Sequence, residues 1–403
     1  MKAIVLDTSR SIAPFGELAC ALPVLGVPLR VLQRRMLAEI GVEVVEAPPR
    51  GEAFLCLGSR CWFTPPLAAR FLREASARLA GTRLMGQDRE AVGLRLCLRH
   101  AAFQRLTEPL QRLPAPGVHE LALLQPDAPP GFDGLPLLEM TPDLADLAVP
   151  DLHPGVSTEG IDTMVQGDEM ACQVDHWALL QQVNVLAMAA WGHQQRRRYT
   201  EGPLLPRLLR WLWLLLRARS LNPFRIAATL VHRGSGCVIH PTATVEASVL
   251  GRGVVIGPNA VVRGAMIGDG CRIDQQAGVA FSVLGKDVQV THGAEVNLCV
   301  VMDGAMLSRA AGMQASVIGR GAFVAQSAIL MDRCFSGQVP VLVDGERVPS
   351  GRAFLGVALG HGARVGAGVV MGYGTELPNG ASLVLKRERV YRGWEGEGGV
   401  ESQ

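Results

Sequence analysis

The chain has 403 residues, 48% of them hydrophobic, and a formal net charge of +2 at pH 7. Its length and apolar content supply two domains with proper cores, and the near-neutral balance argues against a nucleic-acid partner. Nine cysteines are scattered without a CxxC pair, which indicates neither a zinc site nor a disulfide framework and suits a reducing cytoplasm.

Lys2 precedes the apolar run Ala3–Leu6, which reads as a buried first strand ending at Asp7 and is far too short for a signal peptide. Pro28–Ile40 reads as a helix with Leu29, Leu32, Met36 and Ile40 as its apolar positions. Gly41 stands at the C-cap, and Val42–Val45 opens a second strand. Phe54–Leu57 is a third strand and Leu67–Leu79 a second helix. This βαβα order predicts a parallel sheet covered by helices. Residues 118–125 and 137–140 are further strand candidates. The Pro- and Asp-rich stretch 126–160 is predicted to cross the surface, and Asp175–Trp191 reads as a helix.

Leu204–Arg219 (LLPRLLRWLWLLLRAR) follows. In a helix, Arg207, Arg210 and Arg217 share one side while leucines, Trp211 and Trp213 cover the rest. The segment is too short and too interrupted by arginine to span a bilayer. Two readings stand: a helix wedged between domains, or a peripheral one in a membrane interface with its arginines at the headgroups.

From residue 231 to 385 a short phrase keeps restarting: an aliphatic residue, a glycine, then small or polar residues. Leu250-Gly251, Ile256-Gly257, Ile267-Gly268, Leu284-Gly285, Ile318-Gly319, Leu355-Gly356 and Val365-Gly366 are examples. This is a hexapeptide solenoid signal. Six residues make one side of a triangular parallel coil and three such units a turn. The aliphatic residue points inward, and Gly, Asn259 and Asp269 suit corners. Val245–Ile273 is regular apart from a five-residue step between Val262 and Ile267. After Val288 the register loosens, with Val296, Val300, Ile318, Val324 and Ile329 as the expected inward positions. Cys334–Arg352 breaks the period and reads as a loop or hairpin leaving the coil.

These two halves together resemble the sugar-phosphate nucleotidyltransferase family with a C-terminal left-handed β-helix, and among them the bifunctional uridylyltransferase/acetyltransferases. MKAIVLDTSRSIAPF, LPVLGVPLRVLQRRMLAEIG (22–41) and VDHWALLQQVN (174–184) carry the resemblance in the first half. GAEVNLCVVMDGAML (293–307) and GVALGHGARVGAGVVM (356–371) carry it in the second. It implies a Rossmann-like α/β nucleotidyltransferase-like domain over 1–200, a connecting helix over 201–230, a left-handed parallel β-helix over 231–385 with an insertion at 334–352, and a tail over 386–403.

The departures from the family bear on chemistry. The nucleotide loop should be glycine-rich so that backbone N–H groups approach phosphates, yet Asp7, Thr8, Ser9, Arg10 and Ser11 stand there. Arg10 and Pro14 match family positions. The family's phosphate-binding lysine falls on Ala19, and its metal-binding aspartate falls on Ser59. Phosphoryl transfer needs metal and positive charge, so Mg²⁺-dependent nucleotidyl transfer is not expected and no metal site is assigned. The resemblance also allows acyl transfer from acetyl-CoA or another acyl-CoA to a sugar or sugar nucleotide, with a histidine as general base. The family's histidine phrase falls on Arg309–Gly312, and arginine cannot take a proton at neutral pH. His292, with Glu295 and Asn297 nearby, is the first candidate and His361 the second. Arg10 and Asn297 are the candidates for ligand binding. The competing reading of every one of these is a non-catalytic homotrimeric scaffold or ligand sensor, in which the histidines are ordinary corner residues. A homotrimer is expected from the resemblance, which packs three solenoids in parallel.

Overall fold

A computed structural model of the chain describes residues 1–84, 92–100, 110, 115, 117–148, 163–335 and 337–386. Part of the Pro- and Asp-rich stretch (149–160) and the tail beyond residue 386 lie outside these. The first domain is built on a six-stranded sheet in the order Leu137–Met140, Gly93–Leu98, Val118–Leu124, Phe54–Gly58, Lys2–Leu6, Glu43–Val44. Lys2–Leu6 pairs in parallel with both its neighbours, as the βαβα order predicts. Val118–Leu124 runs antiparallel to both of its own neighbours, so the sheet is mixed and not wholly parallel. The antiparallel strand has no separate sequence signature, because every residue of Val118–Leu124 and Phe54–Gly58 is buried and neither strand alternates. Helix α1 (Leu29–Glu39) ends where Gly41 takes a φ of +73°, the left-handed turn that glycine accepts without strain. Helix α2 spans Pro65–Leu84 and α3 Trp177–Thr200.

The second half is a parallel β-helix of the left-handed hexapeptide class. Its strands form three ladders of eight, eight and seven members, one per side of the triangle. In one ladder Val249, Met266, Val283, Val300 and Val317 follow one another, each paired 17 positions on. A turn is therefore 17 residues and not three full hexapeptides. The five-residue step at Val262–Ile267 recurs in every one of these coils. We number the coils 1 to 8 from His232 upward. The register does not loosen after Val288. It continues unchanged to Val317, and Val317 then pairs with Ala358 across the Pro340–Val343/Glu346–Pro349 hairpin. Two predicted inward positions are one residue off: Val301 and Leu330 enter the solenoid core, while Val300 faces the first domain and Ile329 is exposed. A slip of one residue in a strand exchanges its two faces.

The short corner explains the five-residue step. Ala247, Gly264, Phe281, Leu298 and Ala315 stand there in successive coils, all with φ between +44° and +53°. The side chains that follow are buried, and serines occupy alternate coils. Ser282 Oγ donates to Ala280 O at 2.7 Å and accepts from Cys299 N of the next coil at 3.0 Å. Ser248 and Ser316 repeat the pattern with Ala265 N and Val357 N. One hydroxyl thus satisfies an amide of the next coil that the tight turn removes from the ladder.

The first domain sits on coils 5 to 8. Val300, Met302, Val317 and Ala358 share one core with Trp177, Leu180 and Phe63. Helix α3 runs down the stack. Trp177 Nε1 donates to Glu376 in coil 8 at 2.7 Å, Gln181 Nε2 donates to Leu298 O at 2.8 Å, and Trp191 meets His232 of coil 1 edge-on with ring centroids 6.2 Å apart. The inserted hairpin packs on the same helix, with His176 Nε2 3.1 Å from Leu342 O and Arg352 donating to Gln181 at 2.7 Å. At the foot of the stack, α4 (Leu204–Ala218) and α5 (Pro223–Thr229) lead into coil 1. Replacing Ser282 with alanine leaves the buried Cys299 amide without a partner, while Ala280 O keeps Leu298 N. The variant is expected to lose about 1–3 kcal/mol of stability in urea unfolding.

Candidate functional site

The loop after the first strand is where the resemblance places a nucleotide. Two of its backbone donors are already used. Thr8 N and Ser9 N both donate to Ser59 Oγ at 3.0 Å, and Ser59 Oγ in turn lies 3.3 Å from Asp7 Oδ1. Ser59 stands where the family has a metal-binding aspartate. Here its hydroxyl collects two of the amides a phosphate would need. Thr8 Oγ1 donates to Glu120 at 2.6 Å, and Cys20 N donates to Ser9 Oγ at 3.3 Å.

Beneath this knot lies a buried ion triad. Arg60 donates through Nη2 to Glu120 at 2.6 Å and through Nη1 to Asp175. Burial pulls the guanidinium pKa down, but the hydrogen bonds and charges of Glu120 and Asp175 outweigh it and hold the group above its ordinary value. Glu120 lies against Gly58, where any Cβ would collide with its carboxylate. Arg10 is left exposed near this knot. Among the described residues no group of three or more His, Cys, Asp or Glu side chains is placed to hold a metal. The residues present do not fit a nucleotide with its metal.

His361 lies between the domains. Its Nδ1 accepts from Arg320 N at 2.9 Å, which places the neutral ring's proton on Nε2, 3.1 Å from Glu17 Oε1. Arg320 also pairs with Glu17, and the His361 ring stands 5.4 Å from that of Phe15. Burial lowers the imidazole pKa, and Glu17 only partly offsets this. Nε2 thus helps hold the Ser11–Leu18 hairpin to the upper coils, while Nδ1 ties coil 7 to coil 6.

His292, Glu295 and Asn297 all lie on coil 4. His292 sits at a corner, and Glu295 and Asn297 belong to the strand that follows, Glu295–Asn297. Ladder register puts Glu295 between Gly278 below and Gly312 above. Neither glycine is needed by the backbone, since neither has positive φ, and a Cβ would meet nothing within 4 Å at Gly312 and only a side-chain carbon 3.9 Å away at Gly278. A strand glycine free of local need marks a surface that something approaches closely. His292 Nδ1 and Asn297 Oδ1 are buried without a hydrogen-bond partner, as is Thr291 Oγ1 beside them. The flanking glycines and Thr291 do not stand out in the sequence, since their neighbours show only when residues 17 apart are set side by side.

Residues 228–302, from the end of α5 to coil 5, match the family model of the GMPPB C-terminal domain. The chain resembles sugar nucleotidyltransferases that end in a hexapeptide β-helix. Among solved structures, a hexapeptide transferase family protein from Anaplasma phagocytophilum is similar at 18% identity. That match covers 38% of this chain and 72% of the other, with a TM-score of 0.22. No curated protein matches the chain.

Substituting Arg60 with methionine leaves two buried carboxylates without their cation and is expected to cost about 3–5 kcal/mol in chemical unfolding. A second prediction concerns His119, which lines the same sheet. Burial, helped by the nearby Arg95, pushes its pKa down to about 3, and neither ring nitrogen has a partner. A folded pKa below the unfolded value of about 6.5 means stability is complete above that pH and falls as the solution is acidified toward the folded value. His119→Leu is expected to flatten the fall of melting temperature between about pH 6.5 and pH 4.

Proposed function

We propose that the chain is a sugar-nucleotide-related transferase whose β-helix transfers an acyl group from acyl-CoA to a sugar or sugar nucleotide, and whose first domain no longer transfers nucleotides. The observation that carries the reading is coil 4: an exposed carboxylate flanked by two unneeded glycines, on the same coil as a histidine with an unpartnered, buried nitrogen. Acyl-CoA supplies an acyl group already activated as a thioester. Asn297 Oδ1, an orphaned acceptor, suits the amide N–H groups of a pantetheine arm. His292 takes the proton from the acceptor hydroxyl or amine as it attacks, then returns it to the departing thiolate. Glu295 stabilises the imidazolium between those two events. His361 has no part in this chemistry, since its nitrogens are committed to Arg320 and Glu17.

A homotrimer completes the site. Val261, Ile329, Met331 and Val370 are exposed on the same side of the triangle as Glu295, and two further copies of the chain would cover them. The closed knot around Ser59 favours a second reading, a trimeric scaffold descended from an enzyme. One experiment separates the two. Acetyl-CoA should raise the melting temperature by mass action, and UTP with Mg²⁺ should leave it unchanged. His292→Ala should keep the acetyl-CoA shift while acyl transfer to amino-sugar acceptors falls by about 10²–10⁴-fold. An assembled oligomer that ignores acetyl-CoA would leave the scaffold.

A further inference from the structure

Helix α4 faces away from the protein. Of its fifteen residues only Leu214 and Ala218 are buried. Leu205, Leu208, Leu209, Leu212 and Leu216 fall at i, i+3, i+4, i+7 and i+11, a single stripe, and all are exposed. Leu205 and Leu216 are 69% and 67% exposed, and the stripe's neighbours Leu221 and Phe224 reach 82% and 61%. This orientation is fixed. Trp211 Nε1 donates to Tyr199 O at 2.8 Å, and Arg207 and Arg210 donate to Thr200 O and Arg198 O at 3.1 and 2.7 Å. All three bonds tie the opposite side of the helix to the end of α3.

The charge around this stripe is one-sided. Residues 196–225 hold eight arginines and a single acid, Glu201, which pairs with Arg197 at 2.7 Å. Among the described residues no carboxylate pairs with Arg207, Arg210, Arg217, Arg219 or Arg225. Arg217 lies over the exposed Trp213 ring at 5.1 Å, so an aromatic and a cation stand together at the edge of the stripe.

We propose that α4 and the start of α5 dock this protein on an anionic lipid surface. The helix lies in the plane of the bilayer with its leucines in the acyl boundary and the exposed Arg217, Arg219 and Arg225 on lipid phosphates. An apolar stripe bordered by unpaired arginines matches the layered chemistry of that interface, apolar beneath and anionic above. A second copy of the chain fits worse, because it would set arginine against arginine. The helix does not cross: fifteen residues rise about 22 Å against a hydrocarbon core of about 30 Å, and no helix among the described residues is long and apolar enough to span a membrane.

The test is co-sedimentation of the full chain with vesicles of phosphatidylcholine alone and of phosphatidylcholine mixed with phosphatidylglycerol. The expected result is binding at least about tenfold stronger to the anionic vesicles, weakening as salt is raised. Leu208→Glu/Leu212→Glu should abolish it, and Arg217→Glu/Arg225→Glu should remove the preference for phosphatidylglycerol. Both pairs are exposed, so melting temperature should stay unchanged and show that each variant is folded. Equal sedimentation of wild type and both variants would overturn the proposal. So would vesicles left unbound while the leucine variant elutes as a smaller species, which would make the stripe a self-association face.

Discussion

One apolar surface on the outside of the solenoid holds this molecule together. A β-helix normally turns polar residues outward, because strand residues alternate between core and solvent. In coils 5 to 7 the outward residues Val300, Val317 and Ala358 are apolar and fully covered by the first domain. Helix α3 answers them. Its first half is buried on all sides, polar Gln181, Gln182 and Asn184 included. Neither partner could face water alone, so the two halves behave as one cooperative body. The polar contacts of His361, Glu17 and Arg320 then fix an orientation that apolar burial has already made favourable.

The same docking bears on the nucleotide-like domain. A phosphate-binding loop must leave its N–H groups unsatisfied until the ligand arrives, at a cost in stability. Here Ser59 satisfies them permanently, and the Arg60–Glu120–Asp175 triad sits beneath. Asp175 lies two positions before Trp177, so the triad also anchors the start of the helix that grips the solenoid.

The repeat was legible because glycine and aliphatic residues mark two of the three corners and all three inner columns. The third corner was not. Ala247, Phe281, Leu298 and Ala315 adopt positive φ without the glycine that usually announces it, so the 17-residue period and the true register beyond Val288 escaped a reading based on punctuation. The mixed sheet escaped because fully buried strands look alike in either direction. At the candidate site, His292, Glu295 and Asn297 are close in the chain and could be grouped by eye. Tertiary facts were out of reach: the role of His361 depends on Glu17, more than 300 positions away. The amphipathic character of α4 was plain in its spacing, whereas its outward exposure depended on which face α3 would take.

Helix α3 also works as a measuring rod. It touches coil 8 through Trp177, the Leu298 corner through Gln181 and coil 1 through Trp191. The ten positions from Gln181 to Trp191 rise about 15 Å. The four coils they accompany climb roughly 19 Å at about 4.8 Å each, and long side chains bridge the difference. Repeat proteins usually grow or shrink by whole units, since each repeat touches only its neighbours. Here one extra coil would require about three extra helical residues, and three residues would turn the helix by most of a full revolution and bring a different face to the solenoid. The lower half of this stack is therefore closed to change by single turns, and its height is locked to the length of a helix in another domain.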